Sequence, residues 1–295
     1  MKPQAATPRE DSPAPLDPAL RKAMDASVNA ALAEDLGGGD VTGLLVPPNA
    51  TATAELKVRE QAVLCGTPWF EAVVRRCAPQ AEVTWRYAEG DTMTANSLVC
   101  RLHGPARGLL TAERTALNFL QLLSATATVT RQYTQIVQGT GARILDTRKT
   151  IPGLRLAQKY AVRVGGGTNQ RLGLYDGALI KENHIAAAGG VVAVLKQANG
   201  LSRQVPVQIE VENLAQLREA LEADASAILL DNFTVQAMRE AVAITAGRAV
   251  LEASGGVDRD TVRAIAETGV DRISIGSLTK DIRAVDYSLR ITRME

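Results

Sequence analysis

Two short apolar runs in this chain each end in cations. Ile144-Leu145 leads into Asp146-Thr147-Arg148-Lys149, and Ala178-Leu179-Ile180 ends on Lys181. Between them lie the break Pro152-Gly153, the flexible Gly165-Gly166-Gly167, and Asn169-Gln170-Arg171. The guanidinium groups of Arg148 and Arg171 present planar donor forks that match carboxylates, while Lys149 and Lys181 supply compact positive charge. Any one of these cations alone reads as a solvated face. Cations at two strand ends beside flexible glycines read as a site for a strongly anionic small molecule.

Carboxylates and glycine turns complete the set. Glu210 and Asp231 fall at the ends of two further runs, Val205–Val211 and Ala227–Leu230, and are expected to face one another across a mouth. Such a pair could hold Mg²⁺ through oxygens shared with substrate phosphates, act as general acid and base, or pair with Lys149 and Lys181. Glu212 shares the strand face of Glu210 and is expected further from the mouth. Ser254-Gly255-Gly256 and Gly276-Ser277 follow the last two runs, the usual place for phosphate in a barrel of strands and helices. Glycine lets backbone N–H groups approach an anion, and a following helix N-terminus favours its charge. Ordinary strand-to-helix turns use glycine too, but two of them beside two acids favour phosphate and, with it, the metal reading. No Ser/His/Asp or Cys/His set suits a protein nucleophile.

These groups need elements to hold them. Leu20, Met24, Val28, Leu32 and Leu36 recur every four residues and predict a first helix, ended by Gly37-Gly38-Gly39. Strands are expected at Ala52–Val58, Ala62–Cys65, Val83–Tyr87 and Leu98–Leu102, with a helix at Thr67–Cys77, which suggests an antiparallel α+β layer. The longest helical pattern runs from Glu113 to about Val137 and puts Arg114 near its start, a poor place for a cation unless it is aimed at an anion. After Gly141, six apolar runs (Ile144-Leu145, Ala178–Ile180, Val205–Val211, Ala227–Leu230, Ala249–Leu251 and Arg272–Ile275) alternate with helices. Those helices are expected at Arg155–Val164, Val191–Ala198, Leu214–Ala223, Val235–Ala246 and Arg259–Glu267. Alternation of this kind means parallel pairing, and six units can close a small α/β barrel with its active site at the carboxyl ends of the strands.

Composition narrows the rest. Thirty-three basic against 32 acidic side chains leave a net charge of +1, so no global field favours nucleic acid or an anionic membrane. Cys65, Cys77 and Cys100 lack paired spacing and read as small core hydrophobes in a reducing compartment. His103 and His184 are the sole histidines, which excludes a His-rich metal centre. No apolar run nears the ~20 residues of a membrane span. Residues 1–18 carry five prolines and few apolar side chains, and a flexible tail of a soluble cytoplasmic protein is expected.

The stretches EDLGGGDVT (34–42), ERTALNFLQ (113–121), LDTRKTIPGLR (145–155), GGGTNQRLGLYDGALIKENHI (165–185), IEVENL (209–214), LLDNF (229–233), EASGG (252–256) and ISIGSLT (273–279) follow in the order found in one family. Through them the chain resembles the quinolinate phosphoribosyltransferases, the carboxylating nicotinate-nucleotide pyrophosphorylases. That resemblance implies an open α/β sandwich over 19–115, rejoined by 280–295, around a six-stranded α/β barrel over 116–279. It implies transfer of phosphoribose from phosphoribosyl pyrophosphate to quinolinate with Mg²⁺, in NAD biosynthesis, by a homodimer in which Arg114 reaches the neighbouring site. By the same resemblance, Thr147, Arg148, Lys149, Arg171 and Lys181 meet substrate, Glu210 and Asp231 are acids of the site, and Ser254–Gly256 and Gly276–Leu278 are phosphate turns. Lys149, Lys181, Glu210 and Asp231 are the expected catalytic groups. Many members have histidine where this chain has Gln170, so no titrating group stands there, although an amide can still contact a carboxylate. Asn169 and His184 are expected as supporting hydrogen-bonders. A Schiff-base aldolase using Lys149 or Lys181, or a non-catalytic relative of the same fold, are the rival readings.

Overall fold

The computed structural model describes residues 16–198, 200 and 205–295. Residues 1–15 of the expected tail lie outside the described residues. Order begins with α1 (Pro18–Leu36), where Asp17 accepts the Leu20 N–H at 2.9 Å and Pro18 sits in the first turn. Both are favourable helix starters, because the carboxylate satisfies an orphan donor and proline has none to lose. Then come β1 (Thr51–Val58), β2 (Ala62–Val63), α2 (Thr67–Cys77), β3 (Glu82–Trp85), β4 (Thr92–Met93), β5 (Leu98–Pro105) and α3 (Ala106–Ile136). The remainder alternates: β6 (Arg143–Leu145), α4 (Arg155–Val164), β7 (Ala178–Ile180), α5 (Glu182–Ala188), α6 (Val191–Ala198), β8 (Val207–Val211), α7 (Leu214–Glu222), β9 (Ala227–Asp231), α8 (Val235–Thr245), β10 (Val250–Ser254), α9 (Val262–Ala266), β11 (Arg272–Ser274) and α10 (Ser277–Lys280). The chain closes with β12 (Tyr287–Met294).

Two compact units result. One runs through Thr128 and includes Leu156–Gly165 and Ile282–Glu295; the other holds Val129–Arg155 and Gly166–Asp281. In the first, β12-β1-β5-β3 form an antiparallel sheet, and β2 pairs with β4. Period-two burial along β1 puts Ala52, Ala54, Leu56 and Val58 inside, as a half-buried strand requires. Residues of α4 join this unit through Tyr160, whose ring lies 5.5 Å from that of Trp69 and whose hydroxyl donates to Glu89 at 3.0 Å. Cys65 and Cys100 are buried and Cys77 half-buried, all free thiols.

One expectation about α3 fails. The helix starts at Ala106, not near Glu113, so Arg114 sits in its body and the dipole argument against a cation there falls away. Gly108, a poor helix former, hid the first turns from sequence reading. It is glycine for a packing reason: a Cβ there would lie 2.5 Å from the Cys77 carbonyl oxygen and 2.8 Å from the Ala78 Cβ.

The second unit is the expected six-stranded parallel arrangement, in the order β6-β11-β10-β9-β8-β7. Successive strands neighbour one another, and the last returns to the first; β6 and β7 themselves share no ladder. A bridge from Leu145 to Thr168 lines that seam instead, with the Thr168 N–H on the Ile144 carbonyl at 2.9 Å. Ile209 and Val211 of β8, Ile228 and Leu230 of β9, and Leu251 and Ala253 of β10 pack with Leu217, Ala220, Met238 and Ala241 of the helices. The alternate positions are more polar: Gln208 and Glu210 on β8, Glu252 and Ser254 on β10. Gln208 donates to Glu252 at 3.1 Å across the intervening β9, so these positions face the inside of the ring.

Candidate active site

Most of the sequence-nominated groups converge where the strands of the second unit end. Past β6, the buried Asp146 carboxylate accepts the Asn169 amide at 2.6 Å and the Gln170 N–H at 2.8 Å. It ties the segment after the glycines to the end of β6, which sets Arg171 beside Arg148. Arg155, a residue sequence reasoning did not single out, straps the same loops: its guanidinium donates to the Thr150 hydroxyl at 3.1 Å, the Leu172 carbonyl at 3.1 Å and the Arg148 carbonyl at 3.4 Å. Asp176 closes the turn by accepting the Leu172 and Gly173 N–H groups at 2.7 and 2.8 Å.

The arginine pair has an excess of positive charge. Burial, and then the neighbouring Arg148 charge, push the Arg171 guanidinium below its ordinary range, with Asp176 opposing. Arg171 spends one donor on the Gly177 carbonyl at 2.9 Å. Arg148 has a buried Nε with no acceptor among the described residues. An unpaired buried donor of this kind costs about 1–3 kcal/mol, and two adjacent guanidinium groups gain most when an anion joins them.

Lys181 ends β7 and places both carboxylate oxygens of Glu210 within 3.0 and 3.2 Å of its Nζ. Lys181 is half-exposed, whereas Glu210 is nearly buried, so the pair sits at the rim with the acid on the inner side. Of the three uses open to Glu210 on sequence grounds, ion pairing with Lys181 is the one made here. His184 accepts the Lys181 N–H through Nδ1 at 3.0 Å and so caps α5. Lys149 is exposed, and its stem runs along Gly276: a Cβ there would meet the Lys149 Cδ at 2.9 Å. The Thr279 hydroxyl donates to the Lys149 carbonyl at 2.8 Å, and the Thr147 hydroxyl accepts the Lys149 N–H at 3.0 Å.

Register corrects the expected face-to-face acids. Glu210 is level with Leu229, while Asp231 is level with Ser254, so Asp231 stands nearer the rim than Glu210. Glu212 also lies nearer the rim, exposed just past the end of β8, rather than further from the mouth. Asp231 accepts from the Asn232 amide at 2.9 Å. Asn232, itself at φ +55°, donates its N–H to the Ser254 carbonyl at 2.9 Å and packs onto Gly255. Gly255 has φ +103° and Gly256 φ +58°; a Cβ on the first would land on the Asn232 side chain, and one on the second would meet open space. Ser277 and the buried Leu278 open α10 behind the Gly276 turn. Arg114 belongs to the other unit, is exposed, and its guanidinium has no ion-pair partner among the described residues.

Gln170 differs from its expected use. Its amide donates inward to the Gln208 Oε1 at 2.9 Å and its Oε1 accepts the Arg171 N–H at 2.7 Å. Gln208 and Glu252, which hold it, were not nominated from the sequence. A glutamine and a glutamate within strands that otherwise read as apolar runs were the available signal.

Fold and site together define a six-stranded parallel α/β barrel unit whose strand ends gather arginines, lysines, acids and glycine turns. Known proteins bear on which one. Residues 126–290 match the model of the quinolinate phosphoribosyl transferase C-terminal domain, and residues 40–124 that of its N-terminal domain. The nicotinate-nucleotide pyrophosphorylase [carboxylating] of Mycobacterium leprae is 42% identical over 270 residues, covering 89% of this chain and 95% of that protein. A probable nicotinate-nucleotide pyrophosphorylase [carboxylating] of Bacillus subtilis is 37% identical over 260 residues, covering 88% of this chain and 90% of that one. The solved nicotinate-nucleotide pyrophosphorylase of Francisella tularensis superposes with a TM-score of 0.89 at 44% identity, covering 92% of this chain and 96% of that one. The chain belongs to the quinolinate phosphoribosyltransferase family.

Proposed function

We propose that this protein transfers the phosphoribosyl group of phosphoribosyl pyrophosphate to the ring nitrogen of quinolinate, giving nicotinate mononucleotide, pyrophosphate and CO₂ on the route to NAD. The carrying observation is the Arg148–Arg171 pair, buried in part, short of counter-charge, and with the Arg148 Nε unsatisfied. A dicarboxylate supplies what that pair lacks. The names of the relatives support the same substrate.

Arg148, Arg171 and Lys181 grip the two ring carboxylates, and Arg114 of the partner subunit completes the grip in a homodimer. The exposure of Arg114, one helical turn after the exposed Leu110, supports an intersubunit task. Ser254–Gly256 and Gly276–Leu278 take the phosphates, and Lys149, running along Gly276, adds positive charge beside them. Glu210 and Asp231 fit Mg²⁺ only as part of a shared shell: no cluster of three or more His, Cys, Asp or Glu suited to a metal occurs among the described residues. That suits an ion that keeps waters and takes oxygens from substrate phosphates. When bound, Mg²⁺ supplies positive charge to departing pyrophosphate. The chain's own task is to align the ring nitrogen with C1 of the ribose, where a positioned pair needs no protein nucleophile. Decarboxylation then follows from the quaternised ring nitrogen, which stabilises the carbanion left by CO₂. A Schiff-base role for Lys181 is disfavoured by its pairing with both oxygens of Glu210, which occupies the amine that would have to attack a carbonyl. Free cysteines support a cytoplasmic location, and among the described residues no helix is long and apolar enough to cross a membrane.

The test is pyrophosphate release by the purified protein with quinolinate, phosphoribosyl pyrophosphate and Mg²⁺. Release is expected to stop with EDTA, to return with added Mg²⁺, and to be lost when nicotinate replaces quinolinate. Absence of quinolinate-dependent release would overturn the reading.

A further inference from the structure

A polar relay crosses the inside of the barrel beneath the site. The Arg171 N–H is held by the Gln170 Oε1 at 2.7 Å; the Gln170 Nε2 donates to the Gln208 Oε1 at 2.9 Å; the Gln208 Nε2 donates to the Glu252 Oε2 at 3.1 Å. Glu252 is fully buried, and its other oxygen, Oε1, has no hydrogen-bond partner among the described residues. Gln208 lies two residues below Glu210 on β8, and Glu252 two below Ser254 on β10, so the relay forms the floor of the proposed ligand mouth.

This floor is an unfavourable place for such groups. Strand interiors of this type are normally filled by Val, Ile and Leu. A buried carboxylate with an unsatisfied oxygen destabilises, and apolar residues of similar volume at both positions would be neutral or stabilising. Local rules of this kind are broken chiefly where function demands it. The relay is also directional. Each amide donates one step deeper, toward Glu252, and this fixes the Gln170 side chain with its oxygen turned back on the Arg171 backbone.

We propose that Glu252 and Gln208 are positioning residues: through Gln170 they fix the backbone at Arg171 and hold its guanidinium beside Arg148 for the substrate carboxylates. The inference deepens the reaction proposed above and rests on it. In this chain the relay takes the place of a titrating side chain at position 170, so the grip is set by a buried carboxyl group three hydrogen bonds from the Arg171 backbone.

The discriminating protein is the double variant Gln208→Met/Glu252→Met, which removes both deep members of the relay together and leaves the part-buried Gln170 amide to turn to water. Its Tm should equal or exceed that of the parent, its KM for quinolinate should rise about tenfold, a typical effect of removing a supporting shell, and its KM for phosphoribosyl pyrophosphate should stay within about twofold. Glu252→Gln keeps an acceptor for Gln208 and should show a smaller rise than Glu252→Met. A double variant with the parental quinolinate KM overturns the proposal. So does one in which Tm falls and both KM values rise together, the signature of a purely structural role. The parent protein run alongside separates the two inferences: if it releases no pyrophosphate with quinolinate, the reaction is wrong, whereas an active parent with an indifferent double variant sinks the relay alone.

Discussion

Gly255 and Gly256 are adjacent and both have positive φ, yet alanine should cost more stability at the first and more substrate binding at the second. At Gly255, φ +103° is a conformation that alanine adopts at a cost of about 1–3 kcal/mol. The new Cβ would also fall on the Asn232 side chain, with the Asn232 Cγ at 2.7 Å and its backbone N at 3.0 Å. Asn232 cannot retreat without loosening its N–H bond to the Ser254 carbonyl, worth about 1 kcal/mol. The sum, about 3 kcal/mol, corresponds to a fall in Tm of roughly 6–12 °C for a protein of this size. At Gly256, φ +58° costs an alanine only about 1–2 kcal/mol and nothing lies within 4 Å, so Tm should drop by roughly 2–8 °C. Open space beside Gly256 is where a phosphate is proposed to approach, so Gly256→Ala should raise the KM for phosphoribosyl pyrophosphate about tenfold, a cost of about 1.4 kcal/mol, while sparing that for quinolinate. Scanning calorimetry and initial rates of pyrophosphate release measure both arms. Equal Tm losses in the two variants would refute the packing argument. A stable Gly256→Ala enzyme with unchanged kinetics would refute the assignment of this turn to phosphate.

Arg148→Ala should raise the quinolinate KM about a hundredfold, since a charge-assisted grip is worth up to about 3 kcal/mol; an unchanged KM in steady-state assays would count against the arginine pair as the binding wall. Lys181→Met strands the nearly buried Glu210 and should lower stability by about 1–2 kcal/mol, less than for a fully buried pair because Lys181 is half-exposed. Chemical denaturation would detect this, and a variant as stable as the parent would show that water serves Glu210 equally well. The Asp40 carboxyl is held below its ordinary value chiefly by the Gly43 N–H and then by the Thr111 hydroxyl. A depressed folded value means stability that is present above the unfolded carboxylate pKa of about 3.9 and is lost as pH falls through the folded one. The segment 41–46 should therefore become protease-sensitive in acid, and in Asp40→Ala already at neutral pH; cleavage there that is insensitive to pH would contradict it.

Chemistry and alternation were the legible layers of the sequence. Apolar runs ending in Arg148, Lys149, Lys181, Glu210 and Asp231 located the mouth because strand ends in a parallel array share one side. Helix α2 was legible over its whole length because Pro68 and the amphipathic face agree. Failures have specific causes. Gly108 disguised the start of α3, since a residue chosen for close approach to Cys77 looks like a helix breaker. The acids were placed opposite each other because sequence gives the end of a strand but not its register, and a shift of two residues separates Glu210 from Asp231. Gln208 and Glu252 were passed over for a related reason. Period two marks which residues share a face, but not that the inner face of this ring is polar.

The two walls of the site differ at rest, and that difference constrains how they work together. On the arginine wall, Arg148 and Arg171 are held by backbone carbonyls, the Arg155 strap and the Asp176 turn, without a carboxylate hydrogen-bonded to either guanidinium among the described residues. A ligand carboxylate arriving there displaces no internal ion pair. Lys181 is different, because both oxygens of Glu210 already occupy its ammonium. It can join the carboxylate grip only by sharing or leaving Glu210, and Glu210 can turn to other work only as Lys181 lets go. The two residues are therefore one switchable pair, and their substitutions should be non-additive. A Lys181→Met/Glu210→Gln double variant that lost the sum of the single-variant effects would show that the pair acts as two independent groups.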